Sequence, residues 1–244
     1  MEKAYRRFLF PSHGVVFEVQ LRQTDLWIWA TENLRKEAQE ALLEARMHIE
    51  GYIEANPEFM ESHLPLPMDP TAPPIVREML RAAKAAGVGP MASVAGAIAQ
   101  FVGLRLLEQC SDVMVENGGD LFMRVTQTAV VAVYAGDSPL SGRVGLKIQH
   151  EDMPIAVCTS SATVGHSWSY GVADAAVVVA NDAPLADAAA TALCNMTRNK
   201  EALDKLLEWA LEIDGVRGAL IIVDDVMAAK GGIEIVPVDL TLSK

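Results

Sequence analysis

Val115-Glu116-Asn117-Gly118-Gly119-Asp120-Leu121 joins two short strand-like runs, 112–116 and 121–125, across a pair of glycines. Glycine accepts positive φ, and Asn-Gly followed by Gly-Asp is a strong hairpin signal, so this stretch predicts two adjacent antiparallel strands. The pattern continues outward. Toward the N-terminus Val15, Phe17, Val19 and Leu21 alternate with mostly polar neighbours, the period of a half-buried strand, and strands are expected at 5–10, 15–22 and 26–30. Toward the C-terminus short strands are expected at 130–134, 144–149, 155–159, 219–223 and 233–238, with a fully apolar run at 175–180.

Helical periodicity is interleaved with these strands. Leu34, Ala38, Leu42, Ala45, Ile49 and Tyr52 recur at steps of three or four, predicting a helix with Thr31 as N-cap that stops before Pro57. Pro74 opens a second helix that Gly87 closes after about Ala86, the usual Pro-start and Gly-stop asymmetry. A third follows Pro90, with Ala92, Gly96, Ala99 and Gly103 placing small residues along one face where another backbone can approach. Two more are expected at 184–196 and 200–213. Six of the twelve prolines fall at about 57–74, which reads as a surface loop, a lid or partner-contacting segment. Mixed runs of strands and helices, with no linker or repeat, predict one α+β domain over 1–244 whose sheet is mixed and mostly antiparallel.

Composition limits the function classes. Hydrophobic residues make up 51% of the 244, enough for a substantial core, and 32 acidic against 20 basic residues leave a charge of −12 that disfavours nucleic acid as a partner. The charged start, Met1-Glu2-Lys3-Ala4-Tyr5-Arg6-Arg7, lacks the apolar stretch of a signal peptide, so a cytoplasmic protein is expected. Residues 85–104 carry no charge, but Gly87, Gly89 and Pro90 break the stretch, which predicts a turn and a buried helix rather than a membrane span. Cys110, Cys158 and Cys194 are widely spaced without a Cys-x-x-Cys pair, so neither a disulfide framework nor a zinc site is expected.

Three polar segments sit where strands meet turns or helices, the usual place for ligand contacts. The 115–121 turn offers backbone N–H groups to a ligand, or is a bare hairpin. Residues 159–171 gather Thr159, Ser160, Ser161, Thr163, Ser167 and Ser169 around His166, donors for a phosphate-bearing ligand beside a group that can move a proton. In 184–193, Asp187 and Thr191 lie one helical turn apart and present hard oxygens suited to Mg²⁺, although Asp187 would equally favour a helix N-terminus.

In this order these segments resemble the ApbE-like superfamily, and in combination its UPF0280 branch. The resemblance is carried by residues 89–99, by Glu116-Asn117-Gly118-Gly119-Asp120, Thr159-Ser160-Ser161, Gly165-His166-Ser167 and Ala173-Asp174-Ala175, and by Ala186-Asp187-Ala188-Ala189-Ala190-Thr191-Ala192. The best-known members are FAD:protein FMN transferases. The resemblance implies an ApbE-like fold, FAD or a related nucleotide as ligand, Mg²⁺ on Asp187 and Thr191, and a ligand pocket from Asn117, Gly118, Gly119 and Asp120. Thr159, Ser160 and Ser161 join that pocket, and His166 or Asp174 would handle the proton of an acceptor hydroxyl. A protein acceptor and a homodimer are expected by the same analogy. The transferases' His-x-x-Asp-Pro-x-Thr-Gly core is absent, and Gly165-His166-Ser167-Trp168-Ser169-Tyr170-Gly171 stands in its place with only His166 as a counterpart. The resemblance to this branch also implies a second function, a sulfur-delivery partner in homocysteine formation, with Cys158 as the candidate carrier, and a non-catalytic regulator that binds a small molecule stays open as a third. A Ser160–His166–Asp174 hydrolase is disfavoured because no Gly-x-Ser-x-Gly elbow accompanies the serines.

Overall fold

The computed structural model describes residues 14–164 and 169–240, so the strand expected at 5–10 lies outside the described residues. The strands are β1 (Val15–Leu21), β2 (Thr24–Ala30), β3 (Val113–Asn117), β4 (Asp120–Arg124), β5 (Ala129–Ala132), β6 (Val144–Ile148), β7 (Ile155–Ser160), β8 (Ala175–Ala180), β9 (Val216–Val223), β10 (Val226–Gly231) and β11 (Glu234–Pro237). The helices are α1 (Arg35–Ala55), α2 (Glu58–Glu61), α3 (Pro74–Ala86), α4 (Val94–Leu106), α5 (Ala183–Met196) and α6 (Leu203–Glu212). Eight strands form one antiparallel sheet in the order β1-β2-β3-β4-β7-β8-β9-β10, and β11-β6-β5 form a small second sheet. The α+β class and the antiparallel pairing follow the sequence reading.

Alternation along the large sheet decides what each face covers. Val115, Phe122, Ala156, Val178 and Ile221 point to the helices, whereas Met114, Leu121, Val157, Val177, Leu220 and Ile222 point to the small sheet, where Leu146 and Ile148 meet them. The molecule is therefore layered as helices, large sheet and small sheet. β8 is buried along its whole length because it is covered on both sides, which explains why its sequence, Ala-Ala-Val-Val-Val-Ala, does not alternate.

The hairpin that opened the sequence reading is present. Gly118 and Gly119 take φ of 69° and 112°, and Asn117 faces Asp120 across the turn. Gly87 ends α3 at φ 72°, as the Pro-to-Gly pattern predicts. The uncharged stretch at 85–104 is bent by 104° between α3 and the segment from Pro90, and among the described residues no single helix is long and apolar enough to cross a membrane.

Several boundaries differ. Thr31 is not the cap of α1: its N–H reaches Asp112 O at 3.4 Å, extending the β2–β3 pairing, so the helix begins only at Arg35 without a side-chain cap. The Pro-rich segment holds one short helix, α2, which buries Phe59 against Tyr52 with ring centroids 5.1 Å apart. Pro90 starts a 3₁₀ turn, Pro90–Ser93, before α4 proper. β10 is absent from the sequence reading because Ala228, Ala229, Lys230 and Gly231 carry weak strand preference and the strand lies at the sheet edge.

Candidate active site at the junction of two helix starts

Three side chains form a row across the helix-facing side of the sheet. Asn117 on β3 pairs with Asp120 on β4, which pairs with Cys158 on β7, and directly opposed residues of antiparallel strands project to the same face. Above the row α4 and α5 begin side by side. Asn117 Nδ2 donates to Ala95 O at 3.0 Å, and Cys158 Sγ lies 3.7 Å from Ala183 O, so each end of the row touches the first turn of one helix.

The helices cap each other. Asp187 Oδ2, on α5, accepts the Gly96 N–H at 2.9 Å, and Gln100 Oε1, on α4, accepts the Ala183 N–H at 2.8 Å. Each bond satisfies a first-turn N–H that has no partner within its own helix. Gly96 permits the approach, since a Cβ there would lie 2.3 Å from Ala183 O and 2.9 Å from Asp187 Cβ. Asp182 caps α5 on its own side, accepting the Leu185 N–H at 3.0 Å and pairing with Arg81 at 2.8 Å. Asp182→Ala should therefore cost about 1 kcal/mol, read as a lower urea midpoint at unchanged slope.

Electrostatically the row is costly. Burial raises the Asp187 carboxyl to about 7, against the opposing pull of the Gly96 and Ala95 N–H groups. Asp120 is pushed well above the usual carboxylate range by burial and then by the Asp187 charge, and its Oδ1 has no hydrogen-bond partner among the described residues. The Cys158 thiol is driven up by burial and by both carboxylates. It is held neutral, the opposite of what a sulfur carrier needs.

The hydroxyl-rich segment borders this row. Thr159 and Ser160 end β7, and Gly119 is packed so that a Cβ would sit 3.5 Å from Thr159 O. Ser161 Oγ accepts the N–H groups of Thr163 and Val164 at 3.1 and 3.0 Å. Asp174 has both oxygens engaged, one accepting Thr163 Oγ1 at 2.9 Å and the other the Asp224 N–H at 2.7 Å, so in this structure it ties the 161–164 turn to the β9–β10 corner. His166 lies outside the described residues. On the far side of the segment Ser169 Oγ is 3.2 Å from Cys194 Sγ and donates to Asn195 Oδ1 at 3.1 Å, which fixes the loop to the C-terminal half of α5. Thr191, half-buried, stands one turn beyond Asp187 on the way to Cys194.

The structure thus gathers Asn117, Asp120 and Asp187, sets Thr159 to Ser161 and Thr191 beside them, and gives Asp174 a bracing position. Two neighbours escape a sequence reading. Gly89 leaves room for Ser62 O, and His63 meets Tyr170 with ring centroids 6.4 Å apart, so the Pro-rich segment reaches Tyr170. A cleft of about 350 Å³ beside Tyr134, Ser138, Ser141 and Arg143 lies elsewhere, at the edge of the small sheet. The carboxylate row, which gathers buried ionisable groups, is a better site candidate than that opening.

Among the described residues no group of three or more His, Cys, Asp or Glu side chains is disposed to hold a metal ion. The Asp120–Asp187 pair still fits Mg²⁺, which commonly binds one or two protein carboxylates and completes its shell with water and ligand phosphate oxygens. The buried, unpartnered Asp120 Oδ1 is the observation that supports this fit.

Comparison with known proteins follows the same lines. The sequence profile described as AbpE bacteria matches residues 7–229. A UPF0280 protein of Methanocaldococcus jannaschii is 43% identical over 210 residues, 84% of this chain and 85% of the relative. A second, of Methanocella arvoryzae, is 39% identical over 213 residues, 87% of this chain and 86% of the relative. Among solved structures, the ApbE protein of Thermotoga maritima superposes with a TM-score of 0.54 at 15% identity, covering 91% of this chain and 96% of its own. The flavinyl transferase ApbE of Pseudomonas stutzeri superposes with a TM-score of 0.55 at 12% identity, covering 92% and 96%. At such identities the superpositions establish the shared fold.

Proposed function

This chain belongs to the AbpE bacteria family and to its UPF0280 branch, and on that premise we propose that it binds a flavin dinucleotide or related nucleotide with Mg²⁺ and transfers its flavin-linked phosphoryl group to a protein acceptor. The observation that carries the reading is the buried Asp187 carboxylate, seated against the first-turn N–H groups of α4 beside Asp120 and beneath the Asn117-Gly118-Gly119 turn. The nature of the ligand is supported by the flavin transferase neighbours.

Each part of the site then has a task. Asp187 and Thr191 would hold Mg²⁺, whose positive charge would offset the negative charge that grows on a phosphate-bearing ligand in the transition state. The Gly118 and Gly119 backbone can come close to the ligand because neither carries a side chain; around the Gly118 position there is open space for at least 4 Å. Ser160 and Thr159 offer donors at the mouth. In the transfer, the acceptor hydroxyl oxygen forms a bond to the flavin-bearing phosphorus, the pyrophosphate bond breaks, the nucleoside monophosphate leaves, and the hydroxyl proton passes to His166 as general base. Asp174 supports that loop by holding Thr163 in place.

The sulfur-delivery alternative gains nothing from the site, since Cys158 is fully buried. Calorimetric titration of metal-stripped protein with FAD, with and without Mg²⁺, tests the proposal. Mg²⁺-dependent binding that weakens about tenfold or more in Asp187→Ala and in the isosteric Asp187→Asn is expected. FAD binding that ignores both Mg²⁺ and these substitutions, or no binding at all, would overturn it.

A further inference from the structure

The cleft at the edge of the small sheet takes no part in the proposed function. Its walls come from the small sheet and the segments around it, whereas the carboxylate row lies on the helix-facing side of the large sheet, so the large sheet separates the two. A volume of about 350 Å³ is at the small end of the range for ligand pockets and suits a metabolite far smaller than a dinucleotide. The walls are built in advance. Residues 134–143 turn between β5 and β6 with the Ser138 N–H on Ala135 O at 3.0 Å, Ser141 Oγ accepting the Ala135 N–H at 2.9 Å and Ser138 Oγ donating to Asp224 O at 2.5 Å. Beyond Pro237 the β6–β11 pairing continues through Val238 N–H to Arg143 O at 3.0 Å and Leu240 N–H to Gly142 O at 2.9 Å, which brings Asp239 and Leu240 against this turn. Gly142, at φ 68°, permits the approach, since a Cβ there would lie 3.1 Å from Leu240 Cβ.

Both serine hydroxyls are engaged in holding the wall, which leaves recognition to the other groups. Tyr134, Pro139 and Leu240 give the cleft apolar surface, and Arg143 and Asp239 give it one charge of each sign. Neither charged side chain makes a hydrogen bond or an ion pair among the described residues, although the two line one cleft. A phosphate ester would meet the Asp239 charge and a chain whose net charge is −12, and a simple amine would leave Arg143 without a partner. A molecule that carries a carboxylate and an ammonium satisfies both, and a planar guanidinium suits a carboxylate better than any other anion of that size. We propose that the cleft binds a free α-amino acid with an apolar side chain, its carboxylate on Arg143, its ammonium on Asp239, and its side chain against Tyr134, Pro139 and Leu240. The site is independent of the flavin reading, and either can stand without the other.

Calorimetric titration of the full chain with L-leucine and L-phenylalanine tests this, and at least one of the two should saturate a single site. The analogues without the ammonium, isocaproate and hydrocinnamate, and those without the carboxylate, isopentylamine and phenethylamine, should bind at least about tenfold more weakly than the parent amino acid. L-Glutamate, whose second carboxylate would face the apolar wall, should be weaker by a similar factor. Arg143→Gln and Asp239→Asn stand at exposed positions where substitution spares the fold, and each should weaken the amino acid about tenfold or more while leaving the FAD titration as in the wild type. No saturable binding of either amino acid overturns the proposal. Wild-type affinity in either variant overturns it as well, as does an analogue or glutamate that binds as tightly as the parent. Amino-acid binding that needs Arg143 and Asp239 in a protein that takes up no FAD leaves this proposal standing and the flavin reading refuted. FAD binding that needs Mg²⁺ and Asp187, with no amino acid bound, does the reverse.

Discussion

Gly96→Ala is expected to destabilise the protein by about 2 kcal/mol or more, whereas Gly51→Ala, also within a helix, should stabilise it by about 0.5–1 kcal/mol. The two glycines differ in what surrounds them. A methyl at Gly51 would meet nothing within 4 Å on the outer face of α1, so only the gain in helix preference remains. A methyl at Gly96 would come to 2.3 Å from Ala183 O and 2.8 Å from Ala183 C, and these are backbone atoms at the start of α5 that cannot rotate aside. The helices would have to separate. Separation weakens the Gly96–Asp187 and Ala183–Gln100 hydrogen bonds together, leaving first-turn N–H groups and a carboxylate buried without partners. Helix preference returns roughly 1 kcal/mol of that cost. Urea denaturation of the three proteins checks both signs, and a Gly96→Ala protein as stable as the wild type would mean that α4 and α5 do not touch at this point.

That contact also marks where sequence reading stops. Within a segment the residues state their own conformation: Asn117 to Asp120 declare a turn, Pro74 and Gly87 bound a helix, and Val15 to Leu21 alternate as an edge strand does. Asp187 and Thr191 can be placed on one helix face from their spacing. Nothing local ties Asp187 to Gly96, which is 91 residues away. The small-residue face of α4 announces close packing but not the helix it packs against. Asp120 looks like part of a turn until the β4–β7 register sets it opposite Cys158 and beneath α5. Thr31 misleads for a related reason, because its backbone is claimed by strand pairing to Asp112 before its side chain can cap anything. Local chemistry was therefore legible, while burial and partnership, which convert a carboxylate into a site, depend on the fold.

Burial of that carboxylate leads to a pH dependence of unusual sign. Metal-free protein should lose stability as pH rises from about 4 to about 7. Asp187 ionises at about 7 in the folded chain against 3.8 in its unperturbed state, so across this window the native protein keeps a proton that the unfolded chain has released. Stability falls with pH wherever the native state holds more protons. The contribution is fully present below about 4, declines by at most about 1.4 kcal/mol per pH unit, and is gone above about 7, for a total of roughly 4 kcal/mol. Asp120, raised by burial and by the Asp187 charge, acts in the same direction. Asp69, Asp225 and Glu208 are lowered by their hydrogen bonds and act in the opposite one, but all three are at the surface, where solvent screens them. Asp187→Asn has no proton to release, so its urea stability in chelator should be flatter than the wild type's between pH 4 and 7. A wild-type profile that rises through that window would mean that Asp187 ionises freely on folding, and that the gap between α4 and α5 already holds its counter-charge or is open to water.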